Sequence, residues 1–227
     1  MKGWFITGTD TDCGKTLVAS GLVHKLRGSG QRVAVMKPVA AGCVATQEGL
    51  RNADAQALIA AAGEDRPYEL INPYALAPAI APHIAAAQAD VAIDLEHIVT
   101  AAHMLAADRD VLVVEGAGGW RVPLGEGLDV GGIARALQLP VILVVGMRLG
   151  CLNHAMLTAE AIEQDGCRVA GWVANTVDPA MGEWAANLLT LQASIAAPCL
   201  GVIPNLPDID AARVAQALSL PGAASRM

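Results

Sequence analysis

The chain has no cluster of lysine and arginine, no CxxC pair, no HxxxH pair and no long apolar run, and each absence removes a class of function. Lys and Arg total 15 against 22 Asp and Glu, a formal net charge of −7. The broad positive field that tracks a nucleic-acid backbone is therefore missing, and no nucleic-acid partner is expected. A small anionic ligand would have to be met by local backbone N–H groups and single lysines. The five cysteines (Cys13, Cys43, Cys151, Cys167, Cys199) are scattered and odd in number. They suggest neither a disulfide framework nor a zinc site, and they fit a reducing cytoplasm. The histidines (His24, His83, His97, His103, His154) show no metal-ligand pairing, and His24, His97 and His103 read as structural or solvated. Trp4, Trp120, Trp172 and Trp184 are too dispersed for a stacking platform. Met1 leads directly into Trp4-Phe5-Ile6-Thr7, without the basic and apolar regions of a secretory signal. The longest strongly apolar run, Val141 to Val145, is too short to span a bilayer. A soluble cytoplasmic protein with no membrane partner is expected.

What is present is an alanine-rich globular chain. Its 227 residues are 54% hydrophobic and 16% charged, enough for one sizeable core and unlike a disordered segment. Short β-branched runs alternate with longer helical patterns. Strands are expected at Lys2–Thr7, Arg32–Met36, Leu112–Glu115, Val141–Val145, Val169–Ala174 and Leu200–Ile203. Helices are expected at Thr16–Leu26, Asp54–Ala62, Leu95–Ala107, Ile133–Leu137, Asn153–Gln164 and Glu183–Ile195, with Asp94 as an N-cap. This alternation predicts an α/β fold: a doubly wound, mostly parallel sheet of about seven strands flanked by helices, in a single domain spanning residues 1–227. Ligands of such sheets sit at the carboxyl ends of the strands. Pro73–Ala92 reads as a substrate-side excursion, and Pro221–Met227 as a fraying end.

The first strand ends in Gly8-Thr9-Asp10-Thr11-Asp12-Cys13-Gly14-Lys15-Thr16, and a helix follows at once. This is a variant of the phosphate loop G-x-x-x-x-G-K-[ST], because the first glycine, Gly8, comes one residue early. Consecutive N–H groups and the positive helix end would cradle phosphates. Lys15 would reach the β- and γ-phosphates, and the Thr16 hydroxyl would bind Mg²⁺. A plain glycine turn with a surface lysine is the alternative; Gly-Lys-Thr between strand and helix weighs against it.

Other strand ends also carry polar residues. Pro38 keeps Lys37 extended, so its ammonium could reach across the strand ends and stabilise phosphoryl charge; a solvated loop lysine is the alternative. Glu115, followed by Gly116-Ala117-Gly118-Gly119, suits a Mg²⁺ ligand with backbone close to phosphate. Asp54, taken alone, reads as a helix-start charge favoured by the dipole. Asn175 could read an adenine edge or simply form a turn, and sequence chemistry leaves both open.

Taken together these segments resemble the dethiobiotin synthetases of the biotin pathway, on a P-loop NTPase fold. The resemblance rests on the phosphate loop, Lys37-Pro38-Val39-Ala40, Leu50-Arg51-Asn52-Ala53-Asp54, Asn72-Pro73-Tyr74, Pro82-His83-Ile84 and Val114–Trp120. Its most distinctive pieces are Leu149-Gly150-Cys151-Leu152-Asn153-His154-Ala155-Met156-Leu157-Thr158 and Gly171-Trp172-Val173-Ala174-Asn175. It runs from about residue 2 to about residue 206, and the final twenty or so residues look unrelated. It implies a Mg-ATP-dependent ligase that joins 7,8-diaminopelargonate and CO₂ through a carbamate and a carbamic-phosphoric anhydride. Thr11, Asp12, Lys15 and Lys37 would then surround the carbamate and phosphates. Asp12, Cys13, Gly14, Lys15, Thr16, Leu17 and Glu115-Gly116-Ala117-Gly118 would hold the phosphate side of ATP. Asn175, Thr176 and Pro204-Asn205-Leu206 would hold adenine, and Thr16, Asp54 and Glu115 would hold Mg²⁺. Ala41 would face the diamine, while Gly150, Cys151, Leu152 and Asn153 would contact the substrate carboxylate in the partner's site of a homodimer. His83 and His154 gain a possible role only from this resemblance.

The chain departs from the family pattern at three places. Asp12 stands where glutamate is usual, Ala41 stands where serine is frequent, and Ala77–Ala81 is less polar than its usual counterpart. A partitioning or septum-positioning switch ATPase is the runner-up. That class carries a signature lysine at the position of Asp10, and commonly a basic surface or membrane helix. A cobyrinate-type amidoligase would need a glutaminase domain for which 227 residues leave no room.

Overall fold

The computed structural model describes residues 1–222. Residues 223–227, most of the segment expected to fray, lie outside the described residues. The chain begins with β1 (Gly3–Gly8), α1 (Lys15–Gly28) and β2 (Val33–Met36). An excursion follows: β3 (Val39–Ala40), a hairpin of β4 (Val44–Thr46) and β5 (Gly49–Arg51), α2 (Ala53–Ala62), α3 (Tyr68–Ile71), β6 (Tyr74–Ala75) and α4 (Pro82–Gln88). Then come α5 (Leu95–Ala106), β7 (Val111–Gly119), a hairpin of β8 (Pro123–Gly125) and β9 (Leu128–Asp129), and α6 (Val130–Leu137). The last part comprises β10 (Val141–Met147), α7 (Cys151–Gln164), β11 (Val169–Thr176), α8 (Trp184–Ser194), β12 (Cys199–Ile203) and α9 (Ala211–Ala217).

The central sheet has the order β12-β11-β10-β1-β7-β2, and every pairing in it is parallel. It has six strands rather than the expected seven or so. The other short strands pair only among themselves, β3 with β6, β4 with β5 and β8 with β9, and none extends the sheet. From β1 the chain winds out to edge strand β2, returns through β7, then crosses to β10 on the other side of β1. The winding direction thus reverses at the carboxyl end of β1, between β7 and β10, which is where such sheets bind ligands.

Both faces of this sheet are covered, which is why its strands are apolar throughout instead of alternating with polar residues. In β10, Ile142 and Val144 join the large core with α1 and α5, while Leu143, Val145 and Met147 face a second cluster with Trp172, Ala155 and Leu191. That division is the strand's period of two acting on two packed layers. Helix α1 packs between α2 and α9, α5 contacts α3 and α6, and α7 lies against α8. The expected Asp94 N-cap forms, its carboxylate accepting from Glu96 N–H at 2.8 Å.

Three helices, α3, α4 and α9, lie where no element was expected. They are only 4, 7 and 7 residues long, too short for helical periodicity to show. Strand β7 also runs through Gly116–Gly119, residues that read as loop. Gly119 pairs with Gly8, past an irregularity in the β1–β7 register, so the glycines continue the ladder to the mouth of the site.

Phe5, fully buried, meets Trp120 edge-on with ring centroids 6.2 Å apart and sits beneath Gly116. Phe5→Ala should cost about 3–5 kcal/mol, read as a lower urea midpoint with unchanged slope. A loss below about 1 kcal/mol would show that this aromatic pair does not anchor β1 to β7.

Candidate active site

Strand β1 delivers the chain into the loop 9–14. Two residues of that loop, Asp12 (φ +56°) and Gly14 (φ +92°), have left-handed backbone. Gly14 has a second reason to be glycine: a Cβ there would stand 2.1 Å from Asn175 Nδ2. Gly14 caps α1 without any side-chain cap. The first-turn N–H groups of α1 thus keep their capacity for an anion, and the helix dipole favours one there. Lys15, almost wholly buried, folds back over the loop and donates to the Asp10 carbonyl at 2.8 Å. Asp10 in turn accepts from Thr11 N–H at 2.8 Å and forms an ion pair with Arg148.

The centre of the site is Lys37. It lies at the end of β2, beside β7 in the sheet, and its side chain is 4% exposed. Its ammonium donates to Glu115 Oε1 at 2.6 Å, Asp54 Oδ2 at 2.8 Å and the Gly116 carbonyl at 3.3 Å. Thr16 donates its hydroxyl to the same Glu115 Oε1 at 2.8 Å. Burial by itself lowers the pKa of Lys37, but the charges and hydrogen bonds of Glu115 and Asp54 outweigh it and hold the ammonium above its ordinary value. Burial likewise raises Asp54, and Lys37 outweighs it, so the Asp54 carboxyl lies below the ordinary carboxylate value.

These residues and the loop open onto one cavity of ≈ 800 Å³. Thr11, Asp12, Gly14, Lys15, Thr16, Leu17, Lys37, Ala41, Asp54, Glu115, Ala117 and Gly118, all singled out from sequence, line it together. Ala40, Ala41, Ala79, Ile80, Ala81, Pro82 and Val122 supply an apolar wall, so the Pro73–Ala92 excursion does reach the site. Cys13 is buried under the loop, and Gly116 contributes its carbonyl to Lys37.

The residues that the resemblance assigns to adenine do not line this cavity. Asn175 Nδ2 donates to the Cys13 carbonyl at 2.9 Å, so its amide braces the phosphate loop. Nearby, Asn205 in the exposed Pro204–Leu206 run donates to the Thr176 carbonyl at 3.1 Å, joining the ends of β11 and β12. Gly150, Cys151, Leu152 and Asn153 open α7 behind Gly150 (φ +94°) and do not line the cavity of their own chain. His154 is exposed, and His83 does not reach the cavity lining.

Thr16, Asp54 and Glu115 fit a divalent cation in one respect that the structure makes specific. Glu115 Oε2 is buried without a hydrogen-bond partner, leaving a carboxylate oxygen with unused capacity beside the loop. Among the described residues no group of three or more His, Cys, Asp or Glu side chains could hold a metal alone. An ion here would share its coordination with phosphate oxygens and water, as Mg²⁺ commonly does.

Sequence reasoning assigned no role to Arg148, Tyr68, Asn52 or Asn72. Asn52 carried a usable signal: Asn directly before Ala53-Asp54 is an N-cap pattern, and its Oδ1 accepts from Asp54 and Ala55 N–H at 3.0 and 3.2 Å. The cap places Asp54 in the first turn of α2, so the dipole role and the contact with Lys37 coexist.

The pKa directions define a pH window. Asp54, depressed, contributes stability above the unfolded carboxylate pKa and loses it as pH falls through its lower folded value. Lys37, raised, contributes below the unfolded lysine pKa and loses it only as pH rises through its higher folded value. The pair should therefore hold from about pH 5 to about pH 10. The Tm gap between wild type and Asp54→Asn should be level across that window and shrink below about pH 4. A gap that stays constant into strong acid would contradict the assignment.

An AAA domain family matches residues 2–213. The protein named ATP-dependent dethiobiotin synthetase BioD in Chromohalobacter salexigens is 51% identical, over 98% of this chain and 99% of that one. Its namesake in Pseudomonas paraeruginosa is 52% identical over 97% of both. Among solved structures, the MinD cell division protein of Aquifex aeolicus has a TM-score of 0.57 at 17% identity, covering 96% of this chain and 88% of that one. The signal recognition particle receptor FtsY of Elizabethkingia anophelis has a TM-score of 0.54 at 15% identity, covering 95% and 64%. Those two likenesses show the fold alone. Half of all residues shared across nearly the full length narrows the matter much further: the chain belongs to the dethiobiotin synthetase family.

Proposed function

We propose that this protein uses ATP to close the ureido ring of dethiobiotin from 7,8-diaminopelargonate and CO₂. The observation that carries the reading is the joining of Lys15, Thr16, Lys37, Asp54 and Glu115 in one cavity with an apolar wall. In the reaction one amine adds to CO₂ and loses a proton, giving a carbamate. A carbamate oxygen attacks the γ-phosphorus, and ADP departs. The second amine then attacks the carbamoyl carbon, the ring closes, and phosphate leaves with the remaining proton lost to solvent.

The chain's part is positioning and charge neutralisation. The first turn of α1 and Lys15 hold the β- and γ-phosphates, for which Lys15 gives up its bond to the Asp10 carbonyl. Lys37 faces the transferring phosphoryl group and the carbamate, with Thr11 and Asp12 completing the rim. Thr16, Asp54 and Glu115 would hold Mg²⁺, which would supply charge neutralisation on the phosphates. Ala41 and the Ala79–Pro82 wall face the methylene chain, and Ala41 offers no hydroxyl to the diamine. Asn175, Thr176 and Pro204–Leu206 border the base.

The same reading makes the protein a homodimer with sites at the interface. Leu149 is 95% and Leu157 57% exposed, and the Gly150–Asn153 turn between them does not line the phosphate-loop cavity of its own chain. A partner's cavity would bring the helix N-terminus at Gly150–Asn153 to the substrate carboxylate. In light scattering the protein should run at twice its 23.3 kDa chain mass. Leu157→Glu should shift it to monomer with loss of turnover; a fully active monomer would overturn this arrangement.

Phosphate release from Mg-ATP should require both diaminopelargonate and bicarbonate, with dethiobiotin in the product. Lys15→Ala and Lys37→Gln should each lower kcat by about 10²-fold or more. Slow release indifferent to the diamine would move the protein toward the switch ATPases.

A further inference from the structure

Lys37 is held at two places: its ammonium in the site and its main chain from behind. Its backbone N–H donates to the Ile71 carbonyl at 2.8 Å, and its own carbonyl accepts from Asn72 Nδ2 at 2.7 Å. Asn72 is buried, and its Oδ1 accepts from the Tyr68 hydroxyl at 2.9 Å. The Tyr68 oxygen accepts in turn from the Asn52 backbone N–H at 2.8 Å. Asn52, also buried, caps α2 and fixes the first turn that carries Asp54. A continuous chain of hydrogen bonds therefore leads from the main chain of Lys37 to the helix start that presents Asp54, and the two ends meet again at the 2.8 Å ion pair.

The donor directions form a single consistent set. Asn72 must present its NH₂ to the Lys37 carbonyl, so its Oδ1 faces Tyr68. Tyr68 must then donate to Asn72, which leaves its oxygen to accept from Asn52. Burial raises the Tyr68 hydroxyl above its ordinary value despite the opposing bond from Asn52, so it remains a proton donor at neutral pH. Arg51 lies 4.2 Å over the Tyr68 ring and pins it from the outer side. No atom of Tyr68 or Asn72 lines the cavity, so neither residue is placed to touch a ligand there.

We propose that Tyr68 is a positioning residue, acting through Asn72 and Asn52 to set Lys37 against Asp54. The inference rests on the ring-closing reading above for its kinetic consequence, and on geometry alone for its structural one. Tyr68→Phe removes only the oxygen that joins the two halves of the relay and leaves the ring under Arg51. The Asn72 amide and the Asn52 N–H lose a shared partner, and the main chain carrying Lys37 gains freedom relative to α2.

The test is a double-mutant cycle with a spectroscopic arm. Tyr68→Phe should lower kcat for dethiobiotin formation about tenfold while the KM for ATP changes less than about twofold, since misplacement of one group penalises the transition state more than binding. In a Lys37→Gln background the same change should have little further effect, because its influence passes through Lys37; independent losses would multiply. Asn72→Asp, which cannot donate to the Lys37 carbonyl, should reproduce the kinetic loss. In protein labelled with ¹⁵N-lysine, the Lys37 ammonium resonance, assigned by its disappearance in Lys37→Gln, should shift or broaden in Tyr68→Phe. Additive losses in the cycle, or an unmoved Lys37 resonance, would overturn the proposal. If wild type makes no dethiobiotin, the ring-closing reading falls, and the relay is judged on the resonance alone.

Discussion

The buried ammonium of Lys37 is the constraint on which the site depends. A lone cation taken out of water would cost several kcal/mol, so it must be matched by opposite charge and hydrogen bonds with good geometry. Glu115, Asp54 and the Gly116 carbonyl supply that match from two other segments, the middle of β7 and the start of α2. Because β2 and β7 are neighbours, sheet topology brings Lys37 and Glu115 together without any long reach. Asp54 needs the Asn52 cap and the turn of chain after β5. Losing Glu115 or Asp54 takes an anionic partner from a buried ammonium, and losing Lys37 leaves two carboxylates without their shared cation, so the cluster acts as one unit.

The phosphate loop solves the complementary problem. It holds backbone N–H groups unsatisfied at the N-terminus of α1, with no side chain to cap them. Left-handed backbone at Asp12 and Gly14 makes this shape possible, and Asn175 braces it from the far side through the Cys13 carbonyl. Thr16 then joins the loop to the charge cluster through Glu115, so phosphate site and carboxylates are a single construction. Free capacity in that construction lies where an anion and a cation would enter: the α1 N–H groups and Glu115 Oε2.

Most of this was legible in the sequence because it follows strand ends. Gly14-Lys15-Thr16 closes the loop that follows the apolar run of β1, Lys37 and Glu115 each sit directly after an apolar run, and apolar runs of this kind are easy to place. What was illegible depends on contacts between distant segments. Asp54 alone looks like an ordinary helix-start charge, and only the fold shows that Lys37 lies across from it. Asn175 was open between base reader and turn former; the fold gives its NH₂ to the loop, a role that no spacing encodes. The expected seven or so strands became six because Val39–Ala40 and its partner Tyr74–Ala75 form their own short pair instead of extending the sheet. Short helices such as Pro82–Gln88 carry too few turns for periodicity to register.

The division of labour within the chain also explains why fold likeness says little about activity here. The fold is what the chain shares with MinD and FtsY, proteins whose names point to quite different roles. The residues that would distinguish a synthetic enzyme lie mostly in the excursion between β2 and α5. It supplies Ala40, Ala41, Asp54 and the Ala79–Pro82 wall, and its backbone is tied down by Gly42 N–H to the Pro78 carbonyl and Cys43 N–H to the Leu76 carbonyl. A second substrate with a methylene chain would meet that apolar wall. Asp10 points the same way. Where the switch class carries its signature lysine, this chain has a carboxylate engaged with Arg148 and Thr11 N–H. Its ion pair with Arg148 ties the phosphate loop to the turn that leads into Gly150 and α7.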